Sequence, residues 1–139
     1  MTGGGRGIGK AIALALAEEG CDVAVNYVSR EADARQTADA IQALGRRALV
    51  VHGDVSNSAD VRALVVAVEK GLGPVDILVN NAGRAAFESI EQMTETSWND
   101  TIQLNLTSVF LMTQAVLPGM RARKWGRVIN LTSVAAQAG

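Results

Sequence analysis

The sequence is poor in the residues that staple, kink or ligate: 139 residues hold one cysteine, one histidine, one tyrosine and two prolines. A lone cysteine, Cys21, cannot close a disulfide within the chain and reads as a small buried apolar residue. With His52 the only histidine, no His/Cys cluster is available for a metal, so none is expected. His52 also falls at a strand end away from Ser133, and no G-x-S-x-G elbow occurs, which excludes a serine-hydrolase triad. The net charge of −1 gives no electrostatic case for a nucleic-acid partner. No apolar run approaches the roughly 18 residues of a membrane span, so no membrane partner is expected. The first residues lack a basic flank followed by an apolar h-region. Cytoplasm is the expected compartment, in the absence of any other address. Repeats, low-complexity tracts and linkers are also missing.

What remains is the composition of a globular domain with a real core, 48% hydrophobic and 19% charged. The length fits a single domain over residues 1–139. Its elements alternate. Residues 8–19 place Ile8, Ile12, Ala15 and Leu16 at helical spacing, and Gly20 stops the run. Residues 21–27 read as a strand, 31–44 as a helix ended by Gly45, and 47–52 as a strand. Residues 57–70 form a helix with apolar positions Val61, Leu64, Val65 and Val68, followed by a nearly all-apolar strand at 75–79. A long helix is expected over 95–123, kinked or shortened by Pro118, and a last strand over 127–132. Trp98, Phe110 and Trp125 read as helix-packing side chains. Strand–helix alternation with continuous apolar strands predicts an α/β fold, a parallel sheet covered on both faces. Ligands in such sheets bind outside the carboxyl ends of the strands, so the residues after each strand carry the functional expectation.

The first of these stretches is MTGGGRGIGK, a glycine turn running straight into a helix. Glycine tolerates positive φ and lets backbone N–H groups approach a ligand, while the helix N-terminus adds unpaired N–H groups and a partial positive charge. The pattern Gly4-x-x-x-x-Gly9-Lys10 comes near a nucleotide P-loop, but that motif needs Ser or Thr next for Mg²⁺, and Ala11 has no oxygen. A flexible loop and a dinucleotide turn remain, and the downstream motifs favour the second.

Those motifs are NNAG after the strand at 75–79, WNDTIQLNL in the long helix and GRVINLTS at the last strand. With TGGGRGIG in the same order and separation, the chain resembles the short-chain dehydrogenase/reductase family over its whole length. Within it the text looks most like 3-oxoacyl-(acyl-carrier-protein) reductases. The resemblance implies a Rossmann-type doubly wound parallel sheet. It implies Gly3, Arg6, Gly7, Ile8 and Gly9 at a dinucleotide pyrophosphate, Asp54 and Val55 at the adenine, and Asn80, Asn81, Ala82 and Gly83 along the cofactor. An acidic residue after the strand at 21–27 would hold the ribose 2′-hydroxyl of NAD. The text there is Asn26-Tyr27-Val28-Ser29-Arg30, with no carboxylate before Glu31, so Ser29, Arg30 and Arg6 are expected to meet the 2′-phosphate of NADP, with NAD as the alternative. Plainer roles stay open: Arg30 as a solvated charge, Asp54 as a helix cap or turn residue, NNAG as a structural turn.

For catalysis the resemblance implies a hydride moving between nicotinamide and a carbonyl carbon. Ser133 matches the serine that hydrogen-bonds the carbonyl, and Asn105 the asparagine that supports a water chain to a lysine. Ordinary turn and buried hydrogen-bonding roles are the alternatives for these two. The substrate would be a small carbonyl compound, with acyl-carrier-protein-bound 3-oxoacyl thioesters as the candidates, and the long helix would form a homo-oligomer face. The family's Tyr-x-x-x-Lys pair is expected beyond Ser133; the only tyrosine, Tyr27, is followed four residues later by Glu31. The strand that precedes the glycine turn in the family lies between those at 21–27 and 75–79, and only Met1 and Thr2 stand before the glycines. The expectations are therefore an incomplete sheet, a gap of about 9.6 Å at twice the strand spacing, a fragment of a longer reductase, and no turnover by this chain alone. A non-catalytic nucleotide-binding module is the rival reading.

Overall fold

The computed structural model describes residues 1–85 and 88–133. Helix α1 (Gly7–Glu18) leads to strand β1 (Val23–Tyr27), α2 (Glu31–Ala43), β2 (Ala48–His52), α3 (Ser58–Gly71) and β3 (Ile77–Asn80). Then come α4 (Glu95–Ile102), a π-helical stretch (Gln103–Thr107), α5 (Ser108–Ala122) and β4 (Arg127–Asn130). The order matches the sequence reading, and the strand ends shift by at most two residues. α1 and α2 end just before Gly20 and Gly45, as their stop signals predict. Asn57 starts α3, its Oδ1 accepting from the N–H groups of Ala59 and Asp60.

Alternation along the strands decides which helix covers which face. Val23 and Val25 of β1 pack with Ala13 and Ala17 of α1 and Ala34 and Ile41 of α2. The intervening Ala24, with Val51 of β2 and Leu78 of β3, packs on the opposite side with Val61, Leu64, Val65 and Val68 of α3 and Met112 and Val116 of α5. Helices thus lie on both faces of parallel strands, the doubly wound arrangement.

The sheet is broken in the middle. β1 pairs in parallel with β2 (Val23 opposite Ala48), and β3 with β4 (Ile77 opposite Arg127), giving two two-stranded sheets among the described residues. The expected gap is present, with Met1 and Thr2 at its carboxyl end. The Asn26 N–H donates to Met1 O at 3.2 Å and the Thr2 N–H to Val79 O at 3.1 Å.

Several local expectations need correction. The buried side of α1 is Gly9, Ala13 and Ala17, while Ile8 is 68% exposed and Ala15 is exposed too. Small residues win there because α1 sits close against the glycine turn and β1. The long helix is interrupted at 103–107 by π turns, and α5 runs through Pro118 to Ala122. Trp98, Phe110 and Trp125 are about half exposed instead of packed between helices; Trp125 carries the Arg127 guanidinium 5.4 Å from its ring centre. Cys21 is only half-buried. β4 is exposed along all four residues, unlike a strand covered on both faces.

Candidate functional site

Thr2 ties the glycine turn to the end of β3. Its buried hydroxyl donates to Val79 O and accepts the N–H groups of Asn81 and Ala82, both at 2.9 Å. The Asn81 amide returns the tie, donating to Thr2 O at 2.9 Å and Gly3 O at 3.2 Å. The stretch Asn80–Gly83 and the turn are thereby one rigid unit. Asn80 reaches the other way, its Nδ2 donating to the Asn130 side chain of β4 at 2.9 Å. Gly9 is obligatory in this packing: a Cβ there would lie 2.6 Å from Asn81 Nδ2 and closer still to the Gly3 carbonyl oxygen.

Gly3 (φ +59°) and Gly7 (φ +52°) take the left-handed region that the turn needs. Gly7 faces open space, since a Cβ on it would meet nothing within 4 Å. Arg6 stands at the N-cap of α1 without a side-chain cap, and the first turn holds no acidic residue. The first helical hydrogen bond runs from Lys10 N–H to Arg6 O, so the N–H groups of Gly7, Ile8 and Gly9 have no partner within the helix. That is the arrangement an anion binds.

Asn26 fastens the turn from the β1 side. Its Nδ2 donates to Gly53 O at 2.8 Å, and its Oδ1 accepts the Gly3 N–H at 3.4 Å. A shallow pocket of about 150 Å³ opens beside it, lined by Gly3, Gly5, Arg6, Ser29, Arg30 and Asp33 among others. The structure thus brings Arg6, Ser29 and Arg30 to one place. It adds a carboxylate the sequence reading passed over: Asp33 pairs with Arg30 at 2.6 Å. Glu31 is engaged elsewhere, accepting from Arg35, and this pairing with the guanidinium holds its carboxyl below the ordinary range. Tyr27 closes the β1 end of the pocket, edge-on to His52 with ring centres 5.3 Å apart. Burial and the nearby Glu31 charge raise its phenol pKa.

Asp54 follows β2 and forms a local turn, its Oδ1 accepting the Ser56 N–H at 2.9 Å and hydroxyl at 2.6 Å. The helix cap is Asn57, not Asp54. Val55 is buried in the α3 core. Asn105 lies in the π-helical stretch, where both ends of its amide bind one backbone: Oδ1 accepts the Arg84 N–H at 3.0 Å and Nδ2 donates to Arg84 O at 2.8 Å. It anchors the segment after Asn80–Gly83, close enough that a Cβ on Gly83 would lie 2.9 Å from its Oδ1. Ser133 stands exposed beyond β4, three residues after Asn130; Val134, quoted with it in the motif, lies outside the described residues. Sequence reasoning missed the clamping roles of Thr2 and Asn26; a threonine and an asparagine at the sheet's carboxyl end were the available signal. Among the described residues, no group of three or more His, Cys, Asp or Glu side chains is arranged to hold a metal, and no helix is long and apolar enough to cross a membrane.

The family model described as short chain dehydrogenase matches residues 1–139. Nodulation protein G of Azospirillum brasilense is 43% identical over 134 residues, covering 96% of this chain and 54% of that protein. The 3-oxoacyl-(acyl-carrier-protein) reductase FabG of Staphylococcus epidermidis is 40% identical over 139 residues, covering all of this chain and 57% of that protein. A crystal structure from Sinorhizobium meliloti 1021, assigned as a short-chain alcohol dehydrogenase, superposes with a TM-score of 0.94 at 36% identity, over 99% of this chain and 54% of its own. The chain spans about half the length of these relatives. Matched from end to end and folded the same way, it belongs to the short-chain dehydrogenase/reductase family of oxidoreductases.

Proposed function

We propose that this chain is the nucleotide-binding part, a single unit over residues 1–139, of a cytoplasmic NADP(H)-dependent carbonyl reductase acting on 3-oxoacyl thioesters. The observation that carries the reading is the glycine turn. It opens onto the uncapped N-terminus of α1, is clamped by Thr2, Asn26 and Asn81, and adjoins a pocket holding Arg6, Ser29 and Arg30. The free N–H groups of Gly7, Ile8 and Gly9 suit a pyrophosphate. Arg30 and Arg6 suit a further phosphate by charge-assisted hydrogen bonds. Asp54 and Val55 would border the adenine, and Asn80, Asn81, Ala82 and Gly83 a ribose. The bound dinucleotide would supply the hydride. The chain's own contribution to the chemistry is positional: Ser133 would hydrogen-bond the substrate carbonyl, and Asn105 would hold the loop at Arg84 that borders the site.

A proton must reach the carbonyl oxygen as hydride reaches its carbon. Tyr27 does not suit that task, because it sits at the phosphate end of the site beside Glu31 and lacks a lysine four residues on. General acid help is worth about 10²- to 10⁴-fold, so turnover by this chain alone is expected to be negligible. The same observation favours, as a second reading, a nucleotide-binding module without catalysis. Titrating the chain with NADPH and NADH by fluorescence or calorimetry tests the binding claim. NADPH should bind the tighter of the two; no binding of either, or tighter NADH, refutes it. An extended chain carrying Tyr-x-x-x-Lys that still fails to oxidise NADPH with a 3-oxoacyl thioester supports the second reading.

Trp98, Ile102, Leu106 and Phe110 recur every four residues and are all exposed. Such a stripe, running from α4 through the π-helical stretch into α5, suits a second copy of the chain, the homo-oligomer contact expected of the long helix.

A further inference from the structure

The turn at 54–57, after β2, and the segment at 80–84, after β3, border the site from two sides, and one short piece of chain touches both. In the π-helical stretch, Gln103 Nε2 donates to Ser56 O at 2.6 Å. Two residues on, Asn105 holds the N–H and the carbonyl of Arg84 at 3.0 and 2.8 Å. Leu104 between them packs against the core that α3 and α5 share, so the stretch is seated there while its neighbours reach out to either side. Wide turns depart from the regular helical ladder. The buried Ser108 hydroxyl donates to Leu104 O, which ties the stretch at its centre.

The bond to Ser56 matters because of what Ser56 does for Asp54. Ser56 gives Asp54 Oδ1 both its N–H, at 2.9 Å, and its hydroxyl, at 2.6 Å. The Asn57 N–H donates to Asp54 O at 2.9 Å, and the Asp54 N–H donates to Asp60 Oδ2 at 3.0 Å. Ser56 therefore aims the carboxylate, whose second oxygen suits an N–H donor from a ligand. Ser56 stands ahead of the Asn57 cap, so its carbonyl lies outside the α3 ladder. The donor it receives comes from Gln103, 47 residues along the chain.

We propose that Gln103 is a positioning residue for base recognition: it holds Ser56, Ser56 aims Asp54, and Asp54 accepts from the exocyclic amino group of an adenine. Gln103 acts through Ser56, with no contact of its own to the base. The inference rests on the nucleotide-binding reading above and adds to it a preference for an amino purine over an oxo purine. An oxo base presents an acceptor where adenine presents a donor, and an acceptor facing a carboxylate stays unpaired and is repelled. A turn at 54–57 that wanders loses this discrimination first, because the phosphates of the ligand are held by other segments, the glycine turn and the start of α1.

The assay pairs NADPH with its hypoxanthine analogue, in which an oxo group replaces the adenine amino group, each titrated into the chain by calorimetry. Wild type should bind NADPH the tighter by about tenfold or more, the loss expected when a hydrogen bond to a charged group is removed. Gln103→Leu and Gln103→Glu both keep the approximate size and remove the donor. Either should weaken NADPH to within about threefold of the analogue and leave the Kd of the analogue within about twofold of wild type. Gln103→Lys, which restores an N–H donor at similar reach, should return most of the preference. Urea melts of the three variants should nearly coincide with wild type, since Gln103 is exposed. Leu and Glu variants that keep the wild-type preference overturn the inference and leave the nucleotide-binding reading standing. So does equal weakening of both ligands, which would mark a general structural role. Wild type that binds both ligands equally removes base recognition by Asp54 and the inference with it; wild type that binds neither overturns the nucleotide-binding reading as well.

Discussion

Replacing Asp33 with asparagine should strengthen NADPH binding and leave NADH binding nearly unchanged. Asp33 Oδ2 lies 2.6 Å from Arg30 Nε, and the two side chains are 30% and 60% exposed. An exposed pair of this kind is worth only about 0.2–1 kcal/mol, so releasing Arg30 costs the fold little. The larger effect is on the ligand. A 2′-phosphate of charge near −2 held by Arg30 would come within about 5 Å of the Asp33 carboxylate, and at a dielectric near that of water the repulsion is about 1.7 kcal/mol. Screening trims this at physiological salt, so D33N should lower the NADPH Kd by about 5- to 15-fold. NADH lacks the phosphate and should change by less than about twofold. Paired titrations of wild type, D33N and Arg30→Ala at low and high salt are the assay, with the D33N gain shrinking as salt rises. An unchanged NADPH Kd in D33N, or an equal gain for NADH, would refute the placement of the 2′-phosphate at Arg30.

Other outcomes follow from the same contacts. Gly9→Ala places a methyl against Asn81 and the Gly3 carbonyl; unfolding should show a loss of about 1–3 kcal/mol from overpacking, together with lost nucleotide binding. Thr2→Val keeps the shape but strips the acceptor from the Asn81 and Ala82 N–H groups, costing about 1–3 kcal/mol in urea melts, whereas Thr2→Ser should recover most of it. Burial of the Met1 ammonium lowers its pKa from 8.0 to about 6. The unfolded chain therefore holds more protons between these values, and stability should rise from pH 6 to 8 by up to about 3 kcal/mol; acetylating the amine should abolish this slope in urea melts at pH 6, 7 and 8. Leu106→Arg, in the exposed stripe, should shift the sedimentation profile toward monomer without lowering Tm, and a monomeric wild type would remove the homo-oligomer proposal.

Local chemistry was legible wherever one residue type had one structural use. Gly20 and Gly45 marked helix ends, Val61, Leu64, Val65 and Val68 marked the buried side of α3, and the glycine turn led directly into α1. The face of α1 was misread because periodicity favours large apolar residues, while the close approach of Gly9 to Gly3 and Asn81 demands small ones. The π-helical stretch left no trace in residue type, since QLNLT suits an α-helix equally well. Asp33 went unnoticed because the carboxylate sought was one directly after β1. Its effect arises from the first turn of α2, which brings it back over Arg30.

The sequence by itself determined the element order, the parallel α/β class and the family, because these rest on periodicity and on motifs read along the chain. Only the tertiary structure decided what Thr2, Asn26, Asn81 and Asn105 do. Each is a short polar side chain whose bridging partners, set across the fold, lie 21 to 80 residues away along the chain. It also decided how the two strand pairs are joined. Met1 and Thr2 bridge β1 and β3, Met1 O accepting the Asn26 N–H and the Thr2 N–H donating to Val79 O, contacts that no local motif announces.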